Sequence, residues 1–344
     1  MTTFSQKCYL WKCKVFIIRN MVRKSLLTLM LLYTICINLT AQSETEFVVM
    51  DNYTIPTGIE GAIVGRVISP HKEVMFLDKD TSELFIFDRQ NYIRLKDGVT
   101  LRECDPQCYE IEMQCGENVK SFVLVKDDFI RNGVIANGGA WKNTHLKFNS
   151  VEALKKAVEI GCEASRCDVY LNADKQIELI PDQYEDYNDV FTIEECIQDI
   201  KKQNKTRLVI NLKDLSKNKN GAVALADSVV RLVHRLNAQA WVEYVSFDYE
   251  TLLRIRQQDS SALISYTGSD KTLEEQANDN ISGVGYNFNL YIKSPELFEQ
   301  ARNLGLTLRV WTVNNKRNMQ YFLDNGINYI TTDEPEMMLQ LVSE

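Results

Sequence analysis

Residues 307–332 read TLRVWTVNNKRNMQYFLDNGINYITT, and they contain two strand patterns separated by a helical pattern. The first strand is predicted at 307–313 and the second at 329–332. A strand, a helix and a second strand in this order are typical of a unit whose two strands run parallel. The stretch therefore predicts an α/β fold.

The same alternation extends from this stretch back to Gly133. It predicts nine strands, at 134–137, 164–170, 177–181, 208–212, 242–247, 263–266, 283–288, 307–313 and 329–332. Such alternation favours a TIM-type (β/α)8 barrel over 132–344, which needs only eight parallel strands. Because the link at 171–175 is too short for a parallel crossover, the second and third strands are predicted to form a hairpin at the barrel mouth.

Helix signals support this interpretation in two places. Ser150 is a candidate N-cap for a helix that Gly161 would stop. A second helix is predicted to begin with Ser294 as N-cap and Pro295 as the first helical residue, and to end at Gly305.

Residues 42–131 have a different pattern, with short strand-like runs separated by turn signals such as Asp97-Gly98. Strands at this spacing predict a small β-sandwich, and their layout resembles cadherin-like modules. Two roles stay open. The domain is either an accessory that packs on the barrel or a module that binds a glycan or a protein partner.

Residues 1–41 have the layout of a signal peptide. Arg23 and Lys24 precede an apolar run at 26–39, and Ala41 follows as a small residue before Gln42. The run is short for a bilayer span, which disfavours a membrane anchor as the alternative. We therefore expect export and no membrane span after cleavage. Residues 1–20 would be an upstream extension, and whether the start is Met1 or Met21 stays open.

The charge distribution excludes one class of partner. The chain carries −8 overall, but residues 1–41 hold six Lys or Arg and no acid, so the mature part carries −14. A surface this acidic repels phosphate backbones, which argues against nucleic-acid binding. The chain has only three histidines, His71, His145 and His234, which limits His-based chemistry.

Export implies an oxidising compartment. A disulfide among Cys104, Cys108 and Cys115 is possible, whereas Cys162 and Cys167 lie in apolar patterns and are expected to be buried thiols. The cysteine spacing is not that of a zinc site.

In a barrel of this kind, chemistry lies at the carboxyl ends of the strands. Those ends read Asn137-Gly138-Gly139, then Arg166 and Asp168, Pro181-Asp182, Asn211 and Lys213, Ser246-Phe247, Trp311-Thr312-Val313-Asn314, and Thr332-Asp333-Glu334-Pro335. With the stretches at 138–171 and 309–335, this order resembles the glycerophosphodiester phosphodiesterase family across 133–344.

The resemblance implies hydrolysis of glycerophosphodiesters by general acid–base catalysis beside Ca²⁺ or Mg²⁺. The resemblance also shows where this chain differs from the family's motifs. The family's His-Arg-Gly is replaced by Asn137, Gly138 and Gly139, its Pro-Glu-Asn by Lys147, Phe148 and Asn149, its Glu-x-Asp by Arg166, Cys167 and Asp168, its His-Asp by Pro181 and Asp182, and its Glu-x-Lys by Asn211, Leu212 and Lys213. Neither family histidine is present, so no catalytic residue is predicted at positions 137 and 181.

The remaining candidates predict a ligand site. They are Asn149, Arg166, Asp168, Asp182, Asn211, Lys213 and Trp311. Arg166 could pair internally with Asp168, or it could hold an anion together with Lys213. Trp311 could pack at the mouth or stack on a ligand. No cofactor is expected, and Asp168 is the one metal ligand if a cation binds.

Three functions remain open. The first is an exported, non-hydrolytic relative that binds a phosphate- or polyol-bearing ligand, or a partner protein, in the barrel mouth. The second is an active phosphoric diester hydrolase of lipid metabolism that uses Ca²⁺ or Mg²⁺. The third is a structural protein that contacts its partner through the β domain.

Overall fold

The computed structural model describes residues 48–69, 74–77, 83–180, 192–215 and 219–343. The predicted signal peptide at 1–41 lies outside these residues, and so do His71, Pro181, Asp182 and the acidic segment that follows them.

The N-terminal part consists of eight short strands in two sheets. The strands are β1 (Val49–Met50), β2 (Thr54–Ile55), β3 (Ile63–Ile68), β4 (Val74–Phe76), β5 (Phe85–Phe87), β6 (Tyr92–Leu95), β7 (Cys108–Cys115) and β8 (Asn118–Lys126). One sheet has the order β1-β3-β6-β5 and the other β2-β8-β7-β4. The longest ladder joins β7 to β8 through a tight turn at Gly116, whose φ of +61° suits glycine.

A barrel of eight parallel strands follows, as the sequence predicts. Its strands are β9 (Val134–Asn137), β10 (Ala164–Leu171), β12 (Arg207–Leu212), β13 (Val242–Ser246), β14 (Ile264–Tyr266), β15 (Gly283–Asn287), β16 (Thr307–Trp311) and β17 (Tyr329–Thr332). They pair in chain order, and the barrel closes where β17 and β10 both pair with β9.

The ninth predicted strand, β11 (Ile177–Leu179), forms the expected hairpin. It runs antiparallel to β10, with Val169 opposite Leu179 and Leu171 opposite Ile177. Lys175 adopts a φ of +60° in the turn. The described part of this strand ends at Leu179, two residues before the predicted end, although Ile180 still donates its backbone N–H to Asp168.

Nine helices surround the barrel among the described residues. They are α1 (Val151–Glu159), α2 (Ile193–Ile200), α3 (Lys219–Arg235), α4 (Tyr249–Gln258), α5 (Leu273–Asn278), α6 (Phe288–Lys293), α7 (Glu296–Asn303), α8 (Lys316–Asp324) and α9 (Pro335–Ser343). None of the helices in the described ranges has the length and apolar character needed to cross a membrane.

The two predicted helix starts have different outcomes. Ser150 caps α1 by accepting the backbone N–H of Ala153, and Gly161 follows its end with a φ of +83°. The predicted start at Ser294 is wrong, because Ser294 ends α6 and Pro295 takes the N-cap position of α7. The reason is that α6 directly precedes α7, so Ser294 is the C-cap of α6 and is not available as the N-cap of α7.

The β sheets pack on the amino-terminal side of the barrel. The Asn204 side chain donates to the Lys126 carbonyl at 2.8 Å, and the Arg207 guanidinium lies 4.0 Å from the centre of the Phe129 ring. Buried side chains of both sheets and of the first half of the barrel form one continuous apolar cluster, and residues 46–344 group as one compact unit.

All six cysteines within the described ranges are free thiols. Cys162 and Cys167 are buried, as predicted, and burial raises the pKa of the Cys162 thiol to about 12. Cys104 and Cys108 are exposed.

Two glycines at positive φ provide a matched test of the packing behind the site. A Cβ on Gly139 would lie 2.4 Å from the Ala153 carbonyl carbon, whereas Gly305 has open space around it. We expect Gly305→Ala to lower the free energy of unfolding by about 1 kcal/mol through backbone strain alone. Gly139→Ala should cost about 3 kcal/mol, because α1 must also move. Urea denaturation measures both, and equal costs would contradict the close approach of α1.

Candidate functional site

Three neighbouring strands place the predicted site residues side by side. In the sheet register, Arg166 on β10 lies opposite Asn137 on β9, and Asp168 lies opposite Asn211 on β12. Since alternate residues of a strand share one face, Arg166 and Asp168 both point into the barrel at its carboxyl end. The structure therefore brings together residues that are far apart in sequence.

Asp168 is the centre of this group and is 3% exposed. Arg166 grips it with two nitrogens, with Nε 3.0 Å from Oδ1 and Nη2 donating to Oδ2 at 3.2 Å. The Lys213 ammonium lies 2.5 Å from Oδ2, and the Asn211 amide donates to Oδ1 at 2.8 Å. Each carboxylate oxygen is therefore engaged by two nitrogens.

These contacts decide the charge state of Asp168. Burial alone would raise the pKa of the carboxyl group, because the charged form loses its hydration. Arg166 and Lys213 outweigh that penalty, and the pKa lies below its ordinary value. Asp168 is therefore ionised at neutral pH, and the three charged groups together carry +1.

The arrangement does not fit a divalent cation. Ca²⁺ and Mg²⁺ bind several oxygens, carboxylates first, and here both oxygens of Asp168 already contact nitrogens. A single positive charge 4 Å from a dication would oppose it by roughly 8 kcal/mol at an effective dielectric of 20. Among the residues that the structure describes, no group of three or more His, Cys, Asp or Glu is placed to hold a metal.

Asn149 lies behind Asp168 and fixes its backbone. Its amide donates to the carbonyls of Asp168 and Ile180, each at 2.8 Å, and its Oδ1 accepts the Asp168 backbone N–H at 3.0 Å. Its φ of +57° is one that asparagine tolerates better than most residues. Asn149 thus ties the loop before α1 to the strand that carries Arg166 and Asp168.

Asp333 belongs to the site, although it is not among the ligand residues that the sequence predicts. Its Oδ1 accepts the Asn137 amide at 2.6 Å, and its Oδ2 accepts the Asn314 amide at 2.6 Å. These contacts join β9, β16 and β17 across the closure of the barrel. The available signal was its position directly after the last strand, where a barrel places functional side chains.

The Phe148 ring packs directly on Gly138. A Cβ on Gly138 would lie 2.2 Å from the Phe148 ring, so the ring occupies the space that a side chain at position 138 needs. Trp141 packs edge-on against Phe148 at 5.5 Å and donates its Nε1–H to the Asn137 carbonyl at 3.0 Å. An apolar cluster therefore replaces the charged pair that the resemblance implies at 138 and 148.

An aromatic pair lines the other side of the mouth. Trp311 at the end of β16 donates its Nε1–H to the Gly285 carbonyl at 2.8 Å, which fixes its ring. Phe247, directly after β13, packs edge-on against it at 5.1 Å and is 48% exposed. The mouth thus has a polar side formed by β17, β9, β10 and β12, and an aromatic side formed from β13 to β16.

The two described histidines lie outside this group. His145 is exposed in the loop after β9, and His234 is buried on α3, where its Nε2 is 2.8 Å from an Asp259 oxygen. Pro181 and Asp182, which the sequence places at the end of the hairpin strand, are outside the described residues.

Comparison with known proteins gives a consistent result. Residues 173–337 match the sequence model of the Glycerophosphoryl diester phosphodiesterase family. The matched range begins after Asn137, Arg166 and Asp168, so the polar side of the mouth is only partly included. A glycerophosphodiester phosphodiesterase of Caldanaerobacter subterraneus subsp. tengcongensis is 25% identical over 240 residues, which are 61% of this chain and 97% of that protein.

Solved structures agree with the sequence match. A glycerophosphodiester phosphodiesterase from Parabacteroides distasonis is 25% identical, has a TM-score of 0.58, and is matched over 63% of this chain and 98% of its own. An Oleispira antarctica phosphodiesterase, solved with its product sn-glycerol-3-phosphate, shares the fold at 15% identity with a TM-score of 0.53, over 61% of this chain and 96% of its own. By sequence and by fold, the barrel of this chain resembles the glycerophosphoryl diester phosphodiesterase family.

Proposed function

We propose that this protein binds a small phosphate-bearing ligand in the barrel mouth, without a metal and without hydrolysing it. The observation that carries the proposal is the group formed by Arg166, Asp168 and Lys213. The Arg166 guanidinium takes a position where the family's pattern has a carboxylate that binds the cation, and Lys213 stands at the family's lysine position. Their charge is built into the chain, so the ligand's anion needs no metal to balance it.

The geometry suits an anion. The Arg166 side chain is 16% exposed and that of Lys213 is 35% exposed, so both are partly accessible at the mouth. One carboxylate cannot neutralise two cations, and the group retains +1. Nε and Nη2 of Arg166 face Asp168, so an anion would be held by the guanidinium hydrogens that Asp168 does not use, together with Lys213.

The same geometry argues against hydrolysis. A positioned acid or base contributes about 10²- to 10⁴-fold to a reaction rate. Asn137 stands at the first position where the family has a histidine, and an amide does not exchange protons near neutral pH. Its amide nitrogen is moreover bonded to Asp333. We therefore assign Asn137 to ligand binding and not to proton transfer.

We further propose that the protein acts outside the cytoplasm, because residues 21–41 have the layout of a signal peptide. The two N-terminal sheets present exposed apolar side chains, including Ile63, Met75 and Val119. We propose on this basis that the β domain can bind a protein or glycan partner.

The first prediction concerns activity. Purified protein should release no glycerol 3-phosphate from glycerophosphocholine, with Ca²⁺, Mg²⁺ or EDTA. The combined variant N137H, G138R, F148E, R166E, P181H and N211E should gain metal-dependent release, because it restores the acid–base and carboxylate positions. G138R must be made together with F148E, since the Phe148 ring fills the space beside Gly138. The proposal would be overturned if the unaltered protein hydrolysed glycerophosphocholine and D168A abolished that activity.

The second prediction concerns binding. The product bound by the Oleispira antarctica phosphodiesterase, sn-glycerol-3-phosphate, is the natural probe. In EDTA, a tenfold excess over its dissociation constant should raise the melting temperature by roughly 3 °C. Arg166→Ala should abolish the shift, and Arg166→Lys should weaken it, because lysine keeps the charge but has too few donors to contact Asp168 and the anion together as a guanidinium does.

The control for this experiment is Arg231→Ala, which removes an arginine from a groove on the outside of the barrel beside the hairpin, α2 and α3. It should leave the shift unchanged. A shift that survives Arg166→Ala, or one that requires Ca²⁺, would contradict the metal-free anion site.

The third prediction concerns pH. The folded pKa of Asp168 lies below the unfolded value of about 3.9. Asp168 therefore contributes stability that is present above pH 4 and is lost as the pH falls through the folded pKa. Asp168→Asn should lower the free energy of unfolding by about 3 kcal/mol at pH 7, because two cations lose their partner. The difference from the parent should shrink at pH 3.

Asp97→Asn is the matched control, because the Asp97 side chain is 86% exposed and pairs with Arg94 at the surface. It should change the free energy of unfolding by less than about 1 kcal/mol. If Asp168→Asn were as stable as the parent at pH 7, the contacts of Asp168 with Arg166 and Lys213 would not stabilise the fold.

A further inference from the structure

Three polar atoms on the inner wall of the mouth are buried and lack a hydrogen-bond partner among the described residues. They are Asn137 Oδ1, Asn211 Oδ1 and Thr267 Oγ1. Their residues are 9%, 1% and 8% exposed, and each lies at the carboxyl end of its strand, or directly after it. A buried polar atom without a partner costs about 1–3 kcal/mol, so these positions favour a ligand that satisfies them.

The neighbouring carboxylates decide what the two asparagines offer. Asp333 accepts the Asn137 amide nitrogen, and Asp168 accepts the Asn211 amide nitrogen. Each amide is thereby oriented with its oxygen free, and an amide oxygen only accepts. An ionised phosphate has no hydrogen to donate, so it cannot satisfy these atoms. Hydroxyl groups can.

The aromatic side of the mouth adds a flat apolar surface. Trp311 is held by its bond to the Gly285 carbonyl, and Phe247 stands against it with half of its surface exposed. A Cβ on Gly285 would lie 3.1 Å from the Thr267 methyl and 3.8 Å from the Trp311 ring. Glycine at this position leaves the space between Thr267 and Trp311 open, so one hydroxyl group borders the aromatic surface.

We propose that the ligand is a cyclic sugar phosphate, which rests on the proposed anion site at Arg166 and Lys213. The phosphate contacts these two cations. Ring hydroxyls donate to the amide oxygens of Asn137 and Asn211, a further ring hydroxyl pairs with the Thr267 hydroxyl as donor or acceptor, and the C–H face of the ring packs on Phe247 and Trp311. A three-carbon polyol phosphate has two free hydroxyls for these three polar groups and no ring face to bury.

Titration calorimetry in EDTA with glucose 6-phosphate, glycerol 3-phosphate and adenosine monophosphate tests this proposal. Glucose 6-phosphate should bind at least about tenfold more tightly than glycerol 3-phosphate, which corresponds to about 1.4 kcal/mol. Phe247→Ala and Thr267→Val should each weaken glucose 6-phosphate about tenfold and leave glycerol 3-phosphate within about twofold. Both substitutions should preserve the fold, because Phe247 is half exposed and the Thr267 hydroxyl has no partner to lose.

Leu263→Ala is the control for Phe247→Ala, because Leu263 is equally exposed, at 50%, but precedes β14 and so lies at the opposite end of the barrel. It should change neither affinity. Equal affinities for glucose 6-phosphate and glycerol 3-phosphate would overturn the sugar proposal and leave the anion site intact. The same holds if Phe247→Ala weakens the binding of both ligands equally. Tighter binding of the nucleotide would overturn it in favour of a planar base. If no phosphate binds and Arg166→Ala changes nothing, the anion site itself fails.

Discussion

Asp168 is a buried carboxylate held by two cations, and the rest of the mouth is arranged around that pairing. An unpaired charge at this depth would be costly, and removing either partner leaves the other groups uncompensated. The strand that carries it must therefore keep its register with β12, because Asn211 reaches Asp168 only when the two residues lie opposite each other. The loop before α1 must also stay in place, since Asn149 bonds to the backbone on both sides of Asp168.

The departures from the family pattern form two linked sets. In the first, Arg166 and Asn211 replace carboxylates, and the positive charge that a metal would bring now belongs to the chain. In the second, Gly138 and Phe148 replace a charged pair with a ring that packs on a glycine. Each set is internally consistent, because a single reversion would leave an unpaired charge or a steric clash. A site that had only lost residues would not need such matched changes.

The two sides of the mouth have complementary chemistry. The charged groups on β10 and after β12 can hold an anion, and the amide oxygens on β9 and β12 can accept hydrogen bonds from hydroxyl groups. Phe247 and Trp311 offer an apolar surface. A ligand with one charged end and one hydroxylated ring matches both sides. Hydrolysis would in addition require a group that moves protons, and neither family histidine is present at its position in this chain.

Local sequence patterns determined the barrel, its hairpin, the cap at Ser150 and most of the residues at the strand ends. They did so because strand alternation, capping and turn residues act over a few positions. The start of α7 was misplaced, since Ser294 carries the same signal whether it begins one helix or ends another. Only the tertiary structure decided that Arg166 and Lys213 share one carboxylate, and that Asp333 orients Asn137 from 196 residues away. Such contacts depend on which strands become neighbours when the barrel closes, and no local pattern contains that information.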